Sequence, residues 1–211
     1  MVRDLAYFVQ SEAGAGPGVL VLHSLWGLTS SVKSLCDDLA DRGFTVLAPD
    51  INLGELPETE QEGIDRLGEA DPDHLASLVL SSVRLLSDKS TEGPIGVVGF
   101  GMGGSLGLWV SVRLADLIGA VVSFYGTQQI DFAGSKSSYL MHFAEEDDYI
   151  ADDEAAFMEA TMRLEALAVE VVNYPGTRHG FCEPDSEGFD PEVLDKAWVR
   201  TLDFLSEELL E

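Results

Sequence analysis

The sequence predicts an α/β protein, a three-layer α/β/α sandwich on a mostly parallel sheet. Three observations carry that expectation. Short apolar runs alternate with longer amphipathic ones along the chain. Several short runs are apolar at consecutive positions, as parallel strands must be when helices cover both faces. One of them, "IGVVGF", passes at once into a glycine-rich bend and an apolar helical segment, "GMGGSLGLW". Folds of this kind bind ligands at the carboxyl ends of their strands.

Strands are expected at 5–9, 18–23, 45–50, 95–100, 119–126, 139–144 and 169–175. Helices are expected between them. The segment 30–43 opens on serine caps and stops at Gly43, and 71–89 has Asp71 or Asp73 near its start and leucines at helical spacing. The segment 102–115 follows the glycine bend, 151–167 carries acids in its first turn, and 190–210 places Leu and Trp on one face. Residues 52–70 are polar and marked by Pro and Gly, and read as an excursion over a pocket mouth. No domain boundary is visible, so a single domain over 1–211 is expected.

An apolar share of 45% and a charged share of 24% place the chain among ordinary soluble proteins. The start, "MVRDLAYFVQ", has no signal-peptide core, and no apolar run reaches membrane-spanning length. Two cysteines, Cys36 and Cys182, make no disulfide framework, which points to a reducing, cytoplasmic setting. The formal net charge is −26. That excludes nucleic acid and anionic membrane surfaces as partners, because both are held through Lys and Arg. The acidic surface is either a solubility device or an adaptation to high salt, and melting temperature measured against salt separates the two. Small molecules remain as partners, for a monomer or small homo-oligomer.

The chemistry concentrates at four strand ends. Gly99, Gly101, Gly103 and Gly104 have the spacing of a nucleophile elbow, a bend too tight for side chains two positions either side of its apex. Alone, the pattern equally suits a phosphate-binding loop, since a helix N-terminus attracts anions. Downstream, "HFAEEDD" follows one strand and "YPGTRHGF" the next. An acid, Asp147, and then a base, His179, complete the chain order nucleophile, acid, base of α/β-hydrolases. Asp148 is the alternative acid. Upstream, "VLHSLWGL" ends a strand where this fold supplies an oxyanion donor; the amides of Leu25 and Met102 are the candidates, with His23 bracing the loop.

Taken together, "VLHSLWGL", "LADRGFTVLAPD", "VVGFGMGGSLGLW", "SFYG", "HFAEEDD", "YPGTRHGF" and "DPEVLDKAWVRTLDFL" resemble the dienelactone hydrolase family of the α/β-hydrolase superfamily, from about Val19 to Leu205. The resemblance implies hydrolysis of a small cyclic or activated ester by Cys or Ser at the elbow, with His179 and Asp147 completing a triad. It also implies that the nucleophile falls on Gly101, which has no side chain. Family members that cleave dienelactone carry a Glu in the loop occupied here by Ser24, so the controlling acid is expected to be missing too.

Three side chains are candidates to replace the nucleophile, Ser24 because the resemblance implies that it projects into the same pocket. Ser24 is the first candidate, against the plainer role of a serine bonded to backbone. Ser105, one helical turn past the apex, is expected to be buried beneath the elbow. Cys182 is expected to be an inert loop thiol. Water activated by His179 is a fourth route. The acidic run "EEDDYIADDE" lacks the glycine and ligand spacing of a calcium loop, so no metal and no cofactor are expected. Two functions follow: a weak or altered ester, thioester or lactone hydrolase, or a scaffold that binds an ester or carboxylate without chemistry.

Overall fold

The computed structural model describes residues 5–54, 56–165 and 167–210. Residues 1–4, 55, 166 and 211, which fall within stretches read above from sequence, lie outside the described residues. Among the described residues seven strands form one sheet: β1 Ala6–Gln10, β2 Gly18–Leu22, β3 Thr45–Pro49, β4 Ile95–Phe100, β5 Ile118–Phe124, β6 Ser138–Glu146 and β7 Val169–Arg178. Their order is β1-β3-β2-β4-β5-β6-β7. Only β1 runs antiparallel to its neighbour, at the sheet edge. The α/β sandwich expected from sequence is present.

Among the described residues six helices, α1 Ser30–Asp41, α2 Glu60–Glu69, α3 Pro72–Ser87, α4 Met102–Arg113, α5 Asp152–Leu164 and α6 Pro191–Leu209, complete the layers. Side chains alternate across each strand, so an all-apolar strand feeds two cores. Val19 and Val21 of β2 pack into the cluster that holds Val32, Cys36 and Leu39 of α1 with Trp198 and Leu202 of α6. Leu20 and Leu22 face the opposite cluster, with Val79 and Val83 of α3, Leu108 of α4 and Met162 of α5. Among the described residues no helix is long and apolar enough to cross a membrane.

Two local expectations are corrected. Helix α1 is capped by Thr29, whose Oγ1 accepts from the Val32 amide, so the serines lie inside the helix. The excursion at 52–70 contains a helix, α2. Thr59 caps it, and Ile64 and Leu67 point into the pocket below. Only two of its residues, Ile64 and Leu67, are large and apolar, too few for a visible helical period.

The glycines of the bend are set by backbone contact. A Cβ on Gly103 would stand 2.0 Å from the Leu22 carbonyl oxygen, and one on Gly99 would stand 2.2 Å from that of Gly103. Only glycine lets the start of α4 press against β2 and β4. The carboxyl ends lie level, with Leu22 opposite Gly99 and Phe100 opposite Phe124. The loops that follow therefore converge.

Candidate active site

Gly101 is the pivot between β4 and α4. Its φ of 50° and ψ of −115° are strained for any residue with a side chain. Its amide donates to the Phe124 carbonyl at 2.9 Å, which fixes the bend to β5. A Cβ here would meet only His179 Nε2 and Ser24 Cβ, both at 3.7 Å. The position that projects a side chain from this bend thus faces an imidazole nitrogen across ordinary contact distance.

His179 and Asp147 are brought together by strand register. Glu146 of β6 is paired with Arg178 of β7, so the next residue on each strand leaves the sheet beside the other. His179 Nδ1 and Asp147 Oδ2 are 2.8 Å apart. The other carboxylate oxygen accepts from the amides of Tyr149 and Ile150 at 2.9 and 3.1 Å, which holds the acid in place. The imidazole lies between the rings of Tyr125 and Tyr149, each centroid 4.7 Å away. Asp148 is exposed and takes no part in this contact.

A cavity of about 260 Å³ opens over the bend, lined by Ser24, Leu25, Gly101, Met102 and His179 among others. Leu25 and Met102 line it, and Met102 begins α4, where a helix amide has no intrahelical acceptor. His23 is fully buried: Nδ1 donates to the Ser24 carbonyl at 2.7 Å, and Nε2 accepts from the Ile51 amide at 2.9 Å. Burial lowers its pKa, so it braces the loop as a neutral ring. Cys182 is buried and its thiol pKa is driven well up by burial, as an inert thiol requires. Ser105 departs from expectation: it lines the cavity, and its hydroxyl donates weakly to the Gly101 carbonyl at 3.4 Å. Among the described residues no three His, Cys, Asp or Glu are grouped to hold a metal ion.

Residues 5–209 match the dienelactone hydrolase family. The chain belongs to that family. It is 30% identical over 214 residues to "Protein usf" of Aquifex pyrophilus, covering 96% of this chain and 93% of the relative. It is 24% identical over 206 residues to the carboxymethylenebutenolidase of Pseudomonas sp. strain P51, covering 91% and 85%. Among solved structures, a dienelactone hydrolase-like promiscuous phosphotriesterase, P91, from metagenomic libraries superposes with a TM-score of 0.84 at 22% identity, over 97% of this chain and 92% of that one. That likeness establishes the fold.

Within this dienelactone hydrolase scaffold one prominent residue was not anticipated. Glu183 is a buried carboxylate on the cavity wall, four residues past His179. Ser24 Oγ donates to one of its oxygens through a very short hydrogen bond, and the Tyr125 hydroxyl donates to the other at 3.0 Å. The expectation of a site without a second acid is therefore corrected. A carboxylate is present, delivered from a different loop, and it occupies the Ser24 hydroxyl. Ser24 also accepts from the Trp26 amide at 3.2 Å. Burial pushes the Glu183 pKa up to about 7 against the opposing pull of the two hydroxyls. Tyr125 reaches it from a left-handed backbone, φ 41°, where a non-glycine residue costs on the order of 1–3 kcal/mol. The sequence did carry a faint signal: an acid directly after Phe181 and Cys182, both buried.

Proposed function

We propose that this chain hydrolyses a small ester, thioester or lactone with water as the attacking group. His179 Nε2 takes a proton as the water oxygen bonds to the carbonyl carbon. Asp147, accepting from Nδ1–H, holds the tautomer that leaves Nε2 free to do so and stabilises the imidazolium that forms. The amides of Leu25 and Met102 receive the oxyanion of the tetrahedral intermediate. His179 then returns the proton to the leaving oxygen or sulfur as the acyl bond breaks, giving a carboxylic acid and an alcohol or thiol. No covalent intermediate forms, and the rate is low. Triads stripped of their nucleophile retain about 10³–10⁴-fold over water.

The observation that carries this reading is the 3.7 Å between His179 Nε2 and the Cβ position of residue 101, with Asp147 behind the ring at 2.8 Å. The test is turnover of a short-chain 4-nitrophenyl ester by the purified protein against His179→Ala. Loss of turnover in the variant supports the reading, and no difference between the two proteins defeats it.

Gly101 itself favours a second reading, in which the scaffold binds an ester or carboxylate on the same amides without chemistry. That reading expects thermal stabilisation by non-hydrolysable analogues with no turnover of any ester.

A further inference from the structure

The carboxymethylenebutenolidase relative is named for a lactone that bears a carboxyl group, and whether a substrate of this chain would carry one is a separate question. Here the walls of the cavity speak to that question. Its lining contains two carboxylates, Glu60 and Glu183, and among the described residues that line it there is no Lys or Arg. Glu183 is buried and its hydrogen-bond partners are two hydroxyls, so among the described residues no Lys or Arg pairs it. Glu60 is held toward the mouth by the Tyr149 hydroxyl at 2.8 Å. Beyond His179 the mouth continues into a polar recess with Glu146, Asp148 and Glu187. Among the described residues that line it the one Lys or Arg is Arg178, which is exposed and already faces Glu146 at 3.4 Å. On the opposite side, an adjoining cavity shares Leu25, Leu67 and Met102 with this one and holds Arg66. That guanidinium is bonded to Glu62 at 2.6 Å.

We propose that Glu183, seconded by Glu60, makes this a site for neutral or cationic esters that rejects substrates bearing a carboxylate. The inference rests on the hydrolytic reading above and narrows it. An acyl chain seated on the Leu25 and Met102 amides and within reach of His179 lies beside Glu183. A second carboxylate on that chain would stand in a partly desolvated cavity with nothing to pair it, a few ångströms from a like charge. A neutral chain meets no such repulsion, and an ammonium group gains the attraction instead. The buried position makes this repulsion local. The net charge of −26 also repels anions at long range, but that contribution is screened at about 1 M salt, where the Debye length is about 3 Å. What survives in salt belongs to the cavity.

The experiment measures kcat/KM at pH 8 and 1 M NaCl for three 4-nitrophenyl esters of matched length: the butyrate, the hemisuccinate and the 4-(trimethylammonio)butyrate. Each rate is corrected for and divided by the ester's own enzyme-free rate in the same buffer, which for the hemisuccinate includes attack by its own carboxylate to give the cyclic anhydride. The expected result is that the butyrate and the cationic ester exceed the hemisuccinate by about tenfold or more. Glu183→Gln should narrow the butyrate-to-hemisuccinate ratio by at least about threefold, and Glu60→Gln by less. The proposal is overturned by a hemisuccinate within threefold of the butyrate, or by a ratio that neither variant moves. Should Glu183→Gln fail to fold, Glu60→Gln alone must narrow the ratio for the proposal to stand. If no ester is turned over above the His179→Ala control, the hydrolytic reading fails. Charge selection is then read from thermal shifts with butyranilide and succinanilate. Equal stabilisation by both overturns it, and stabilisation by butyranilide alone upholds it.

Discussion

His179 Nε2 stands 3.7 Å from the point where a Cβ on Gly101 would lie, and nothing but Ser24 Cβ shares that space. A Cys or Ser at 101 therefore fits without displacing a neighbour, and its sulfur or oxygen has an acceptor nitrogen within reach. The opposing factor is the backbone, since φ of 50° strains a residue with a side chain by about 1–3 kcal/mol. Gly101→Cys and Gly101→Ser should gain a burst of nitrophenol and an acyl adduct visible by mass spectrometry, while their melting temperatures fall by several degrees. A variant that folds, binds ester and never acylates would show that the amides or the imidazole are misplaced.

Asp147 holds His179 with one oxygen and the loop amides of Tyr149 and Ile150 with the other. Asp147→Asn keeps an acceptor for the loop and loses the charge. Its NH₂ group presents a donor to Nδ1, which forces the proton onto Nε2 and removes the base. Turnover should fall by about 10²-fold or to the His179→Ala level, with little change in melting temperature. Equal loss of stability and activity would instead mark Asp147 as a loop brace alone.

The positions of Asp147 and His179 were legible because each follows directly on a strand that is recognisable from its own residues, and parallel register does the rest. Gly101 was legible for the same reason, from glycines two positions either side. Glu183 was not, because its meaning lies in partners far away in sequence: Ser24 and Tyr125 reach it from the ends of β2 and β5. No local pattern announces a contact of that span. Helix α2 is not legible in the sequence because its two large apolar residues, Ile64 and Leu67, line the pocket and the rest of it is polar. Its N-cap Thr59 was present in the sequence, but a cap without an apolar period behind it reads as a turn.

The same family fold gives two glycines of the bend opposite tolerances. Gly101 has open space and a strained φ, whereas Gly103 is helical and crowded, its Cβ position 2.0 Å from the Leu22 carbonyl oxygen. Gly103→Ala must push α4 away from β2 and should cost about 3 kcal/mol or more. Gly101→Ala should cost only its backbone strain, on the order of 1–3 kcal/mol. Urea denaturation of the two variants distinguishes these effects. A milder penalty at 103 than at 101 would contradict the close packing described for the elbow.

Glu183 ties stability to pH in a direction opposite to that of a salt-bridged acid. Its pKa is raised by burial to about 7 in the fold, from an ordinary value of 4.5 in the unfolded chain. Below 4.5 the group is neutral in both states and carries no penalty. Between 4.5 and 7 the unfolded chain gives up its proton first, so stability is lost as pH rises, reaching a deficit of about 3 kcal/mol above 7. Glutamine cannot ionise, and it loses acceptance from one of the two hydroxyls by an amount that does not vary across this range. Other buried groups, such as His142 with its pKa pushed down to about 3 by burial, titrate in both proteins and cancel in the difference. The melting temperature of Glu183→Gln minus that of the parent should therefore climb from pH 4.5 to 7 and then level off. A flat difference over that span would mean that Glu183 keeps its charge throughout, and that the hydroxyls of Ser24 and Tyr125 compensate its burial in full.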